Sequence, residues 1–180
     1  GKALPLPEAT AAVGYVKTTI DNPKASEISF AKTSDGASWG AVYGQSLQPI
    51  AAVKSANAGI CVERTIGTAG KSLRVGDKVK VTITIVADRD YDFVQLCDKR
   101  AACLEPVSQL SGYRNGYYLA PQDNCTNYFF DRLSKGKHVV ETEYFVDRPG
   151  SYLSGVCTAE CAYSPEFGGR AEAYRLNVKE

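Results

Sequence analysis

The chain has 180 residues and a formal charge of +1, with 21 Lys and Arg against 20 Asp and Glu. This length fits one domain, or one domain with part of a neighbour. A charge balance this close argues against nucleic acid or an anionic membrane as the main partner, because both attract a basic excess. No stretch approaches the ~20 apolar residues needed to cross a bilayer, so we expect no membrane insertion by this segment.

The first part of the chain, residues 1–57, is predicted to be an N-terminal segment that ends a preceding domain and then becomes a linker. Residues 12–20 favour a strand, although the prolines and alanines before them also permit a short helix. Residues 27–32 and 38–45 predict a β-hairpin around a Ser-Asp-Gly turn. Residues 47–59 are rich in Ala, Ser, Asn and Pro, which is typical of a linker.

The second part, residues 58–180, is predicted to be a single β-sandwich domain. A strand is predicted over residues 78–86, of which 78–85 alternate strictly between polar and apolar side chains, as a strand with one buried face does. Asn115-Gly116 between tyrosines is a strong hairpin signal. Further strands are predicted at residues 60–66, 91–96, 126–133 and 171–178. Seven to nine short strands without a clear helix indicate an antiparallel, immunoglobulin-like sandwich with few or no helices.

Residues 137–168 predict two more strands, joined by a turn at Asp147-Arg148-Pro149-Gly150 as a hairpin. The inward face of the first holds His138, Val140, Thr142, Tyr144 and Val146, and that of the second holds Leu153, Gly155, Cys157, Ala159 and Cys161. Asp147, Gly150 and Tyr152 also fit the tyrosine corner of such sandwiches.

The six cysteines are best interpreted as disulfide candidates. They are Cys61, Cys97, Cys103, Cys125, Cys157 and Cys161. No pair has Cys-x-x-Cys spacing and the single histidine has no cysteine near it, so a zinc site is disfavoured. Disulfides imply the periplasm or the cell exterior. Two cysteines four residues apart on one strand lie about 13 Å apart, so Cys157 and Cys161 do not pair with each other.

Asp88, Asp90 and Asp92 start like an EF-hand loop. The glycine position of that loop is taken by Phe93 and the bidentate glutamate position by Lys99, so calcium binding by this geometry fails. We expect a solvated acidic turn and no metal site.

No catalytic residue is predicted. His138 lies near no recognisable nucleophile motif, and no Gly-x-Ser-x-Gly is present in the sequence. Glu141 and Glu143 alternate with apolar residues, which is typical of a solvated sheet face rather than a glycosidase pair. The sequence therefore predicts neither an enzyme nor a cofactor.

Tyr113, Tyr117 and Tyr118 flank the Asn-Gly turn and are the candidate binding residues. Aromatic side chains on a sandwich loop can stack on sugars or anchor a protein partner. The alternative is cross-strand packing that only stabilises the hairpin.

Three segments resemble one family. TNYFFDRLSKGKHVVETEYFVDRPGSYLSGVCTAECAYSPEFGG (126–169), RAACLEPV (100–107) and SWGAVYGQ (38–45) are similar to the last domain of bacterial alpha-2-macroglobulin-like proteins. The resemblance implies a macroglobulin-type sandwich at the C-terminus of a large exported protein that entraps attacking proteases. It also implies that residues 27–45 complete the preceding domain.

The sequence departs from the family in two ways. The thioester motif Cys-x-Glu-Gln is absent, since no cysteine is followed by that pattern. Only Cys103 and Cys161 fall where the family commonly carries cysteine, so the resemblance implies no complete disulfide pattern.

We therefore expect a non-catalytic domain of an exported bacterial endopeptidase inhibitor, with structural and interaction roles. Its expected partners are other domains of the same chain and, through the parent protein, attacking proteases. A carbohydrate-binding or adhesion sandwich using the tyrosine hairpin is the alternative.

Overall fold

The computed structural model describes residues 3–4, 14–21, 24, 26–67 and 72–180. The chain divides into two compact units, residues 1–44 and 45–180. The boundary predicted from the sequence, between residues 57 and 58, falls inside the strand Ala56–Ala58 and stays a prediction.

In the first unit, the described residues form no helix and no extended strand. The hairpin predicted over residues 27–45 is wrong: the chain bends at residues 34–36, where Gly36 has φ of 88°, but no strand forms on either side. Phe30 and Trp39 are 78% and 95% exposed, so these apolar side chains have no sheet face to pack against. Of the strand predicted at residues 12–20, positions 12 and 13 lie outside the described residues and 16–20 are irregular.

The second unit is built almost entirely from strands, which confirms the predicted fold class. Its described part begins with a 3-10 turn at Ile50–Ala52, within the predicted linker. The strands are β1 Ala56–Ala58, β2 Ile60–Gly67, β3 Leu73–Arg74, β4 Lys78–Ala87, β5 Tyr91–Lys99, β6 Leu104–Pro106, β7 Gly112–Arg114, β8 Tyr117–Pro121, β9 Cys125–Leu133, β10 Gly136–Val146, β11 Gly150–Leu153, β12 Cys157–Cys161, β13 Ser164–Ala171 and β14 Arg175–Lys179.

Three sheets make up the β-sandwich. The largest has seven strands in the order β1-β13-β12-β5-β9-β8-β7, the second has the order β2-β4-β10-β6, and the third has the order β11-β14-β3. All pairings are antiparallel except that of β14 with β3. Within the described residues, no helix is long and apolar enough to cross a membrane.

The alternation in β4 and β10, which pair within the four-stranded sheet, gives this layer one buried face toward the core. Val79, Val81, Ile83 and Ile85 of β4 are buried while Lys78 and Lys80 are exposed, as predicted. The largest fully buried side chains of the core are Tyr128, Tyr144, Ile60, Ile83, Ile85, Leu96, Leu104, Leu133, Val81, Val94, Val140 and Val146. Burying such side chains from both layers is the main favourable term in the fold.

The predicted hairpin at Asn115-Gly116 is confirmed. Asn115 and Gly116 have φ of 34° and 92°, the left-handed values that a type I′ turn requires at both central residues. β7 and β8 pair across this turn with Tyr113 opposite Tyr118.

The hairpin predicted around residues 147–150 is wrong. β10 pairs with β4 and β6, whereas β11 pairs with β14, so the chain changes sheet at this turn. The predicted second strand is also divided into β11 and β12, which lie in different sheets. The corner itself forms as expected: Gly150 has φ of 139° and Tyr152 Oη donates a hydrogen bond of 2.8 Å to the Pro149 carbonyl.

A second corner, where β1 passes into β2, depends on glycine. Gly59 has φ of 83° and lies in a bridge with Gly168 of β13. A Cβ on Gly168 would lie 2.7 Å from the Ala159 carbonyl oxygen, and one on Gly169 would collide with the Ile60 carbonyl. The backbone of β13 therefore lies directly against both neighbouring strands here.

Candidate functional site

The most concentrated polar chemistry lies inside the sandwich, around Arg64 of β2. Its side chain is 1% exposed, and Nη1 donates a hydrogen bond of 2.5 Å to Oδ1 of Asp98, which is fully buried. Nη2 donates to the carbonyl oxygens of Gly155 and Glu172 at 2.8 and 2.7 Å and to Ser154 Oγ at 3.1 Å. The guanidinium also lies 4.4 Å from the ring centroid of Tyr174. One cation thus holds two strands and two loops together.

The surroundings of Asp98 are strongly desolvating. Burial raises the pKa of this carboxyl, and the Arg64 guanidinium partly offsets that rise. The Cys157 thiol faces the same carboxylate from β12. Burial also raises the pKa of Cys157 well above its ordinary value, so this sulfur is held as a neutral thiol.

A buried ion pair of this kind fixes structure rather than performing a reaction. Arg64 Nε, Asp98 Oδ2 and Tyr174 Oη are enclosed without a hydrogen-bond partner. Both partners of the ion pair are sealed from solvent, so a substrate would have no path to them. We interpret the cluster as a clamp for the loops at residues 154–155 and 172–174.

A second buried cation, Arg100, holds a different loop. Its guanidinium donates to the carbonyl oxygens of Leu104 at 2.9 Å, Cys125 at 2.8 Å, Asp123 at 2.7 Å and Gln122 at 2.5 Å. All of these direct partners are backbone carbonyls, and the charge of Arg100 also interacts with the nearby Asp98 carboxylate. Residues 122–124 line a shallow surface depression of about 470 Å³ above it.

The three candidate tyrosines do not share one face. Tyr113 is 75% exposed and packs edge-on against Tyr118, with ring centroids 5.2 Å apart. Tyr117 instead points inward, 5.6 Å from Tyr128 and 5.5 Å from Phe130. The structure therefore leaves Tyr113 and Tyr118 as candidates for contact with a partner and places Tyr117 against the core.

The outer face of the seven-stranded sheet continues the aromatic surface. Tyr118 lies opposite Phe129, which is 40% exposed. Where the turn between β12 and β13 meets β5, Phe93 and Tyr163 pack edge-on with centroids 5.4 Å apart and are 52% and 81% exposed. We call this set the outer aromatic surface: Tyr113, Tyr118, Phe129, Phe93 and Tyr163.

The carboxylates of Asp88 and Asp90 in the acidic turn accept hydrogen bonds from other groups of the chain. Asp88 accepts bonds from Arg89 Nε at 3.1 Å and Tyr91 Oη at 2.6 Å. Asp90 accepts from Arg132 Nη2 at 2.6 Å and from the Lys135 backbone N–H at 2.8 Å. These bonds hold the pKa of both carboxyls below the usual value. Among the residues that the structure describes, no cluster of three or more His, Cys, Asp or Glu could hold a metal ion.

The other titratable candidates also have ordinary structural surroundings. His138 Nε2 lies 2.7 Å from the Ser134 carbonyl oxygen, and the ring is half-buried at the start of β10. Glu141 points outward and pairs with Lys80 at 3.1 Å. Glu143 is exposed on the same face. The structure brings none of these three to a common pocket.

All six cysteines lie within the described residues and are present as thiols, so the disulfide assignment stays a prediction. Cys103, Cys125, Cys157 and Cys161 are buried, and Cys61 and Cys97 are half-buried. Cys157 and Cys161 share the inward face of β12, as predicted.

The sequence reasoning missed Arg64, Asp98 and Arg100, because charged residues are usually assigned to solvent. A signal was present for two of them. Arg64 is in phase with Ile60 and Val62 on the inward face of β2, and Asp98 is in phase with Val94 and Leu96 on β5. Arg100 continues the phase of Asp98, but it lies one residue beyond the end of β5, where a strand pattern no longer applies.

The structure defines a β-sandwich domain held by two internal arginine clamps. The model of the bacterial alpha-2-macroglobulin MG10 domain matches residues 55–166. The chain therefore belongs to this family. No curated protein sequence matches it significantly.

Solved structures show the same fold. Salmonella alpha-2-macroglobulin reacted with methylamine superposes with a TM-score of 0.63 at 24% identity, over 72% of this chain and 10% of that one. The native conformation of the E. coli protein gives 0.64 at 22%, over 74% and 10%. An E. coli fragment from domain MG7 to the C-terminus gives 0.62 at 21%, over 73% and 25%. The chain thus spans about a tenth of the first two proteins it matches.

Proposed function

We propose that residues 58–180 form the final macroglobulin domain of an exported bacterial endopeptidase inhibitor, with structural and interaction roles and no catalysis of its own. The MG10 family match over residues 55–166 carries this proposal. Two sealed arginine clamps and an outer aromatic surface support it, since they suit a rigid body that presents one face to a neighbouring domain. Residues 1–57 are proposed to belong to the end of the preceding domain.

The full-length parent protein provides the test. We expect it to slow the digestion of a large protein substrate by an added endopeptidase, and cell fractionation to recover it from the periplasm or cell surface. Absence of inhibition across endopeptidases of several specificities would refute the inhibitor role. Recovery from the cytoplasm would refute export. Limited proteolysis of the chain tests the proposed boundary, with cleavage expected before residue 58.

Carbohydrate binding or adhesion is the second candidate, favoured by the exposure of Tyr113 and Tyr118. The edge-on packing of these two rings gives less flat surface for sugar stacking than coplanar rings would. A glycan-array signal that Tyr113→Ala and Tyr118→Ala both abolish would support this function. Absence of any signal from the unaltered chain would exclude it for the sugars on the array.

A further inference from the structure

Two of the six cysteines lie side by side on the outer face of the seven-stranded sheet. In the antiparallel pairing of β5 and β9, Cys97 lies opposite Asn127 and Cys125 lies opposite Lys99. Cys97 and Cys125 are therefore diagonal neighbours that point to the same side. Asn127 Nδ2, whose residue lies directly opposite Cys97, donates a hydrogen bond of 3.6 Å to Cys125 Sγ.

The remaining cysteines have no such neighbour. Cys157 and Cys161 point to the opposite, inward side of the sheet. Cys61 lies on β2 in the four-stranded sheet, opposite Val86, and Cys103 is buried in the connection between β5 and β6. Geometry thus distinguishes one pair from the fifteen pairings that six cysteines allow.

We propose that Cys97 and Cys125 form a cross-strand disulfide that joins β5 to β9. Diagonal neighbours on a flat sheet are slightly far apart for a disulfide, but the twist of the sheet brings one diagonal closer. Both cysteines lie on central strands of the sheet, so the bond links the middle of this layer. The oxidant in the cell would be a protein or small-molecule disulfide of an exported compartment, and that step rests on the proposed export.

The reaction is two thiol–disulfide exchanges. The half-buried Cys97 is the more accessible sulfur, since Cys125 is 6% exposed and its thiol donates to Gln122 Oε1 at 3.7 Å. The Cys97 thiolate attacks the oxidant disulfide, forms a mixed disulfide and releases one thiolate. The Cys125 thiolate then attacks Cys97 Sγ, and the second thiolate leaves. The oxidant takes up two electrons, and the two protons lost by the cysteines end on the released thiols.

Burial raises the pKa of the Cys97 thiol to about 11, and the nearby Cys125 sulfur adds to the rise. Little thiolate exists at neutral pH, so we expect uncatalysed oxidation to be slow and to accelerate about tenfold per pH unit below that pKa. The finished bond closes a loop of roughly 28 residues and should raise Tm by roughly 5–10 °C.

The test is oxidation of the purified, folded chain with oxidised glutathione, followed by tryptic digestion without reduction. Cleavage at Arg and Lys places Cys97 in the peptide 90–99 and Cys125 in the peptide 115–132, apart from all other cysteines. We expect these two peptides to be recovered as one cross-linked species that reduction separates, and Tm to fall on reduction. Recovery as separate thiols or glutathione adducts, or linkage of either to another cysteine, would overturn the proposal.

Two variants sharpen the result. Cys97→Ser should abolish both the cross-link and the Tm shift, whereas Cys61→Ser, which changes a thiol of similar burial on the other sheet, should change neither. In Cys125→Ser, Cys97 should remain as a mixed disulfide with one glutathione, because the second thiol that would displace it is missing. A Tm shift that survives in Cys97→Ser would contradict the assignment. The map of the unaltered chain is decisive even if a variant fails to fold, and since it is made in vitro, its outcome is independent of the inhibitor role.

Discussion

The two faces of the seven-stranded sheet use polar and aromatic side chains differently. On the inner face, Asp98 is sealed against Arg64, and Thr126 Oγ1 forms a hydrogen bond with the Tyr144 hydroxyl of the facing sheet. On the outer face, Tyr113 and Phe129 remain exposed, and Cys97 lies beside Cys125. The inner face thus fixes one arrangement of loops, whereas the outer face is available for contacts or covalent linkage. The effects of substitutions should differ accordingly.

The largest effect is expected for Arg64→Met. The variant leaves the buried Asp98 carboxylate without its ion-pair partner and removes the guanidinium donor from three acceptors in two loops, which should lower the free energy of unfolding by about 3–5 kcal/mol. Urea denaturation measures it. Lys80→Ala, which breaks the exposed pair with Glu141, is the control and should cost less than about 1 kcal/mol. Equal losses in the two variants would contradict the proposed difference between a buried and an exposed ion pair.

The β7–β8 hairpin carries one tyrosine that packs on the core and one that is exposed, so alanine substitutions of the two can be compared. Tyr117→Ala removes a ring packed on Tyr128 and Phe130 and should cost about 2 kcal/mol. Tyr113→Ala removes an exposed ring and should cost less than about 1 kcal/mol. Thermal denaturation of both variants compares them directly, and a larger loss for Tyr113 would reverse the assignment of faces.

A smaller effect is expected for Tyr144→Phe. Loss of the 2.9 Å bond between Tyr144 Oη and Thr126 Oγ1, both buried, should cost about 1–2 kcal/mol at neutral pH. Burial raises the pKa of Tyr144 to about 12. The folded state therefore retains this proton longer than the unfolded state does, so stability falls as pH rises from about 10 to about 12.

The measurement is urea denaturation across that alkaline range. The stability of Tyr144→Phe should depend less steeply on pH than that of the unaltered chain. An unchanged slope would show that Tyr144 ionises equally in both states.

The smallest effect is expected at the exposed rim, for Asp90→Asn. The Lys135 N–H and the Arg132 guanidinium lower the pKa of Asp90 below 3.8, so its stabilisation is present above that value and lost as pH falls through the folded pKa. The variant should show a shallower loss of stability in acid, and added salt should reduce the difference. Denaturant titrations between about pH 5 and about pH 2 test both points.

Local patterns predicted most strands of the second unit and the turns at Asn115-Gly116 and Pro149-Gly150. The alternation of residues 78–85 and the Asn115-Gly116 signal describe β4 and the β7–β8 hairpin correctly, since each depends on neighbours in sequence. Strand partners were not accessible in this way. A turn at residues 147–150 fits a hairpin and a change of sheet equally well, and only the distant β14 decides between them.

The candidate site was predicted less well for a related reason. Arg64 and Asp98 are separated by 34 residues, and neither indicates a partner by itself. The composition of residues 27–45 resembles strands, but those residues have no sheet to join within the described chain. The alternation of a strand indicates that one of its faces is buried, but it does not identify the residues that pack against that face.

The glycine corner at residues 168–169 bears on how this domain tolerates change. The missing side chain of Gly169 lets β13 approach β2 of the other sheet, and that of Gly168 lets β13 approach β12 within its own sheet. Even alanine at Gly169 should push β13 off the Ile60 backbone, although the change adds one methyl group and no charge. A saturation library should therefore reject every other amino acid there while accepting many at Tyr113, a larger residue on the same sheet. In this domain, tolerance to substitution would depend on how closely two backbones approach each other at a position, and not on the size of the residue that is replaced.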